Sequence, residues 1–369
     1  MTTLGFVIQL AISALVIVVV CGRNDFVARV YTGAWLVLNV LVVIRYGVVG
    51  QLEFYSNDQR YYVSVVDQVV TNGLSLDVDW WLTASRWPYT LPASVLSLAG
   101  LAPELSAKVV SLLFLLASLQ LVRSRIALGT RSHLVITAYL TGLGAIGTFF
   151  SILALRETAM MYLTLVIFFG KTPASKSAAI LLLFFLRQHL AIAIVVGLLI
   201  VTLLRRIRPS AWTPLRTVFA VAAGNTIGYL LFSLGFQYLR GASGVFGHQL
   251  GLRPVARIFS NYFGLQFLTA YEESLEFSLT SLLASRLLFS ETIVIPLLFT
   301  LLALTSRRFT TLGQSALLAF SIYVGLVTNT EFNSFRQNIP LIPVMGLVVV
   351  QHLLTRQSSP TSSIDSHET

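Results

Sequence analysis

Apolar stretches of about 17 to 22 residues recur along nearly the whole chain, matching helices that cross a hydrocarbon core of roughly 30 Å. Nothing else in the sequence constrains the fold as tightly, because a helix meets its own backbone hydrogen-bonding needs where lipid cannot. Composition agrees: 56% of the 369 residues are hydrophobic and 11% charged, against roughly 25% charged in ordinary soluble domains. So many segments exclude a single-pass anchor carrying a soluble domain. The expected fold is all-α, a polytopic transmembrane bundle of about eleven segments. It forms a single domain over 1–355, followed by a Ser/Thr-rich tail, 356–369, polar enough to be disordered on the cytoplasmic side.

Residues 4–20 end at Cys21, which raises a signal-peptide or lipoprotein reading. Met-Thr-Thr supplies no basic region, and Val18-Val19-Val20 is a poor cleavage site because small residues are wanted there. The stretch is therefore read as a first membrane helix. A single cysteine makes an internal disulfide impossible and argues against a metal-thiolate site.

The net charge of +10 does not indicate a nucleic-acid partner, because the basic residues lie in short gaps between apolar segments. Arg23 and Arg29, Arg123, Arg125 and Arg131, Lys171 and Lys176, Arg205, Arg206, Arg208 and Arg216, Arg307 and Arg308, and Arg356 follow the positive-inside pattern and assign those gaps to the cytoplasm. Helices are then expected at about 4–20, 30–49, 105–122 and 134–151, with another ending by about 170. Further helices are expected at about 215–236, 291–305, 312–328 and 339–354. A piece over 91–101 reads as interfacial or re-entrant. The stretch 177–204 has basic clusters at both ends and Arg187-Gln188-His189 at its centre, so two short helices meeting near the outer half of the membrane are expected there. Two long outer loops remain, 51–90 and 237–290.

On this topology Arg45, Asp58, Arg60, Arg156, Glu157, Arg187, His189, Glu331 and Arg336 all fall near the outer end of the bundle. Ionisable groups at membrane depth are costly and face an interior cavity or one another. Arg45 also suits simple snorkelling, and Arg156 and Glu157 suit pairing with each other or with lipid headgroups. Asp67, amid Val65, Val66, Val69 and Val70, reads as the polar face of an amphipathic helix. Arg45, Arg60, Arg156, Arg187 and Arg336 are the candidate phosphate ligands, since a guanidinium presents a planar fork to phosphate oxygens. Asp58 is the leading candidate for a general base, with Glu157 and His189 behind it. No zinc spacing, glycine-rich phosphate loop or nucleophile elbow is present. No cofactor is indicated, although Asp58 with Glu53 or a phosphate has the oxygen ligands a divalent cation would need.

Arg45-Tyr46-Gly47 followed by Asp58, Tyr61 and Tyr62, then Leu155-Arg156-Glu157-Thr158-Ala159, then Arg187-Gln188-His189-Leu190-Ala191-Ile192 resemble, in order, motifs of the EpsG-like exopolysaccharide polymerases. That family is related in outline to the Wzy polymerases and more distantly to the GT-C membrane glycosyltransferases. The run from Asp58 to Arg86-Trp87-Pro88-Tyr89-Thr90-Leu91-Pro92 is also similar to a first outer loop of GT-C enzymes. The resemblance implies transfer of a sugar or oligosaccharide from a polyprenyl-linked donor to a glycan acceptor at the outer face of a bacterial inner membrane, with lipids as the other partners. A transporter or flippase of lipid-linked sugars is the competing class. Transporters tend to show interrupted helices in paired halves, and only one such break is evident.

Overall fold

The structure, a computed structural model, describes residues 3–21, 25–46, 57–73, 86–126, 133–207, 213–231, 291–306, 309–327 and 338–357. Among these residues every regular element is helical. The α-helices are α1 (Thr3–Cys21), α2 (Phe26–Tyr46), α3 (Asn57–Asn72), α4 (Trp87–Leu98), α5 (Pro103–Arg125), α6 (His133–Ile152), α7 (Glu157–Phe169), α8 (Pro173–Leu186), α9 (Gln188–Ile207), α10 (Pro214–Leu231), α11 (Glu291–Thr305), α12 (Thr311–Val327) and α13 (Ile342–Gln357). A 3-10 turn, Ile339–Leu341, leads into α13. The loop 237–290 and the tail beyond residue 357 lie outside the described residues.

Four of these helices, α1, α2, α5 and α9, are long and apolar enough to cross a membrane. Others are apolar but shorter: α7 has 13 residues, about 20 Å at 1.5 Å per residue. Where about eleven membrane segments were expected, the described residues hold four helices of full length and several shorter apolar ones. Burial explains the arrangement. On α1, Phe6, Leu10, Ala14 and Ile17 form a buried stripe at helical spacing, while Leu4, Ile8, Ile12, Leu15 and Val19 are exposed. A helix that hides one apolar face and exposes another is suited to hydrocarbon on its outside, since water would penalise such a patch.

The inner layer consists of α5, α7, α12 and the first half of α13. On α12 the run from Gly313 to Val327 is buried without interruption, as expected for a helix apolar all round. It packs most closely against α10 and α9, and small residues make that possible. A Cβ on Gly228 would run into the Ile322 carbonyl oxygen, one on Gly325 into the backbone of Asn225, and one on Gly197 into the backbone of Ala319. Gly224 and Gly228 lie four apart on α10, the spacing that lets two helix backbones approach.

A buried ion pair pins α5 to its neighbours. Lys108 Nζ lies 3.0 Å from Glu104 Oε1 one turn earlier and donates to Asn39 Oδ1 on α2 at 3.0 Å. It also sits 5.8 Å from the centroid of the Phe6 ring on α1. Asn39 completes the chain by donating to the Trp35 carbonyl at 2.8 Å. Sequence reasoning treated basic residues as loop markers and so passed over Lys108, although Glu104 four positions before it is the spacing of a helix ion pair.

Two outcomes test this packing. Gly228→Ala should lower stability in detergent by about 1–3 kcal/mol, while Gly33→Ala, where a Cβ meets nothing within 4 Å, should leave thermal unfolding almost unchanged. Lys108→Met leaves Glu104 without its cation and should cost about 3–5 kcal/mol. Adding Glu104→Gln to that variant should recover much of the loss.

Candidate functional site

The break expected within 177–204 falls at Arg187, whose backbone is extended (φ −157°, ψ 91°) between α8 and α9, but only α8 is short; α9, at 20 residues, is long enough to cross a membrane. Breaking a helix there leaves the last carbonyls of α8 needing donors. Arginines from two distant segments supply them. Arg156 donates to the Leu186 carbonyl at 2.7 Å, and Arg86 reaches the Phe185 carbonyl at 3.5 Å. Trp87 packs on Phe185 with ring centroids 5.4 Å apart, closing the α4 start against the α8 end.

Each of the three arginines stands at a helix N-terminus. The Arg86 carbonyl accepts from Thr90, that of Arg156 from Met160, and that of Arg187 from Ala191, the first bonds of α4, α7 and α9. Neither Arg86 nor Arg156 provides a side-chain cap for its own helix. The positive ends of three helix dipoles and three guanidinium groups therefore gather around one break, an arrangement that favours an anion. Backbone strain accompanies it: Arg86 (φ 52°) and Ala154 (φ 53°) are the two non-glycine residues with positive φ among those described. Such conformations persist where surroundings hold them, often at functional sites.

Aromatic residues hold the arginines in place. The Arg156 guanidinium lies 5.6 Å from the centroid of the Tyr62 ring on α3, and Arg187 lies 5.8 Å from that of Tyr323 on α12. Tyr62 meets Tyr89 edge to face at 5.5 Å. Tyr89 donates to the Ala107 carbonyl at 3.0 Å and lies 3.2 Å from Ser111 Oγ. Ser111 in turn donates to the Leu155 carbonyl at 2.6 Å. This chain of contacts ties α3, α4 and α5 to the strained turn that presents Arg156 and Glu157. Glu157 is itself buried (1% exposed), within electrostatic reach of Tyr89 and Tyr323.

The sequence candidates sort as follows. Arg156, Glu157 and Arg187 come together, and His189, half-buried, follows Arg187 by two positions in the first turn of α9. Asp58 is the second residue of α3, four positions before Tyr62; its side chain lies outside the described residues. Arg60 is exposed and two positions from Tyr62, which places it on another face of α3. Arg45 occupies the last turn of α2 with its side chain outside the described residues, as are Glu53, Glu331 and Arg336 altogether. Asp67 is exposed while Val65, Val66 and Val69 are buried, as the amphipathic reading requires. Among the described residues no three His, Cys, Asp or Glu side chains gather to hold a metal ion.

Tyr62, Arg86 and Tyr89 entered the sequence reading only as parts of the resembling motifs, with no role in the site, and Tyr323 did not enter it at all. The signal for Arg86 was its position directly before Trp87-Pro88, since proline favours the first turn of a helix and so marks the preceding residue as a cap. Tyr323 sits in an unbroken apolar run and gave no signal. No protein-family model, no curated protein and no solved structure matches this chain.

The tie between α5 and the arginine turn can be tested directly. Ser111→Ala removes the donor to the Leu155 carbonyl and should cost about 1–2 kcal/mol in thermal unfolding. Ser118→Ala, whose hydroxyl only bonds back to Phe114 within the same helix, should cost less than about 0.5 kcal/mol.

Proposed function

We propose that this protein is a membrane glycosyltransferase that transfers a sugar or oligosaccharide from a polyprenyl-(di)phosphate donor to a lipid-linked or glycan acceptor. The outer face of a bacterial inner membrane is the expected location, as part of exopolysaccharide or other cell-surface polysaccharide synthesis by a polymerase of the EpsG or Wzy type. The observation that carries this reading is the meeting of Arg86, Arg156 and Arg187 at the α8–α9 break. Three guanidinium groups on three helix N-termini suit a diphosphate, and apolar helices around them suit its polyprenyl chain. The motifs Leu155-Arg156-Glu157-Thr158-Ala159 and Arg187-Gln188-His189-Leu190-Ala191-Ile192, which underlie the family resemblance, are the ones that contribute to this cluster.

In the proposed reaction the acceptor hydroxyl oxygen attacks the anomeric carbon of the donor sugar. Its proton passes to the Asp58 carboxylate, and the bond from the anomeric carbon to the phosphate oxygen breaks. The electron pair leaves with the (di)phosphate, whose growing negative charge the arginines stabilise. Glu157, buried beside the cations, balances their charge when no phosphate is bound. His189 is the alternative proton acceptor on α9. Arg45 and Arg336 are further phosphate ligands on this proposal.

The test is reconstitution in liposomes with a polyprenyl-diphosphate oligosaccharide. The wild type should produce a ladder of glycan lengths; a single added unit would indicate a monophosphate-sugar transferase instead. Arg187→Gln and Arg156→Gln should each slow transfer by about 10²–10³-fold, and Asp58→Asn should abolish it. Movement of the donor across the bilayer without a new glycosidic bond would sink the transferase reading in favour of a flippase.

A further inference from the structure

Tyr323 is fully buried on α12, yet among the described residues its hydroxyl finds no hydrogen-bond partner. Other tyrosines of the bundle do find partners. Tyr89 donates to Ala107, Tyr31 to the Leu140 carbonyl at 3.0 Å, and Tyr139 to the Pro343 carbonyl at 2.5 Å. A buried O–H left without an acceptor destabilises the fold, and a phenylalanine would fill the same space. It would also keep the ring beneath Arg187.

The orphaned hydroxyl does not stand alone. Among the described residues the Nε of Arg156 is also buried without an acceptor, as is the hydroxyl of Thr158 in the first turn of α7. Tyr323 lies within electrostatic reach of Arg187, Arg156 and Glu157, so its hydroxyl belongs to the arginine cluster. An N–H and a phenol both seeking acceptors call for a ligand rich in acceptor oxygens. Resting on the function proposed above, we infer that Tyr323 is a ligand-binding residue that donates its hydroxyl to a phosphoryl oxygen of the diphosphate group held by Arg156 and Arg187. The bond would strengthen as the leaving phosphate gains charge, which makes Tyr323 a residue of the reaction as well as of binding.

Tyr323→Phe in the purified full-length protein separates this role from a structural one. Calorimetric titration with farnesyl diphosphate in detergent should show affinity reduced roughly tenfold, as expected for one hydrogen bond to a charged group. The unliganded variant should melt at the same temperature as wild type or above it, because a costly buried hydroxyl has been removed. Unchanged affinity, or a lower melting temperature with unchanged affinity, would overturn the assignment.

Arg187→Gln serves as the reference. If it loses binding while Tyr323→Phe retains it, only the tyrosine assignment fails. Should wild type bind neither farnesyl diphosphate nor inorganic pyrophosphate, the phosphate site itself fails and the tyrosine role with it. Pyrophosphate bound as tightly as farnesyl diphosphate would contradict a lipid-linked donor, and the Tyr323→Phe ratio measured with pyrophosphate would then decide the hydroxyl's role by the same tenfold criterion.

Discussion

Where α8 ends at Leu186, its last carbonyl groups need donors, and an apolar bundle offers little water to provide them. Much of the surrounding architecture follows from that need. Arg156 and Arg86 arrive from the starts of α7 and α4 to meet the Leu186 and Phe185 carbonyls, while Arg187 itself occupies the break. The negative end of the α8 dipole offsets part of the mutual repulsion of these cations, and the buried carboxylate of Glu157 adds to it. Arg156 Nε, buried without an acceptor among the described residues, points to an anion as the natural complement.

α5 connects this cluster to a second polar centre. On one side its Ala107 carbonyl and Ser111 hydroxyl engage Tyr89, and Ser111 fixes the turn before Arg156. On another, Lys108 bridges Glu104, Asn39 and Phe6. Both centres lie within about two turns of the start of α5. The ion pair at Lys108 is satisfied by its own neighbours and ties α1 and α2 to the core. At the arginine turn, Arg156 Nε and the Tyr323 and Thr158 hydroxyls find no acceptor among the described residues. That contrast separates a structural polar centre from one suited to a ligand.

The helical architecture was largely legible in sequence, because apolar length and basic gaps report directly on the helices and their ends. The segment expected at 291–305 is Glu291–Thr305, and that expected at 134–151 is His133–Ile152. The break at Arg187 was legible because a charge in the middle of an apolar stretch demands a reason. The number of full crossings was less so, since hydropathy does not say where a helix stops within a bundle; α7 and α8 end well short of a membrane's thickness. The site was half legible. Arg156, Glu157 and Arg187 stood out as charges and Tyr62 as part of a motif, but Tyr323 owes its place to long-range packing, which leaves no local pattern. Arg86 lay in an aromatic stretch that reads equally well as a headgroup anchor.

The most direct test of the central claim, that Arg86, Arg156 and Arg187 form one site for a lipid-linked diphosphate, is an experimental structure of the protein bound to a polyprenyl diphosphate. The account predicts diphosphate density at the α8–α9 break, within hydrogen-bond distance of all three guanidinium groups, with the prenyl chain leaving among the apolar helices. Density for the diphosphate at the basic gaps near Arg123 or Arg205, with the break empty, would contradict it.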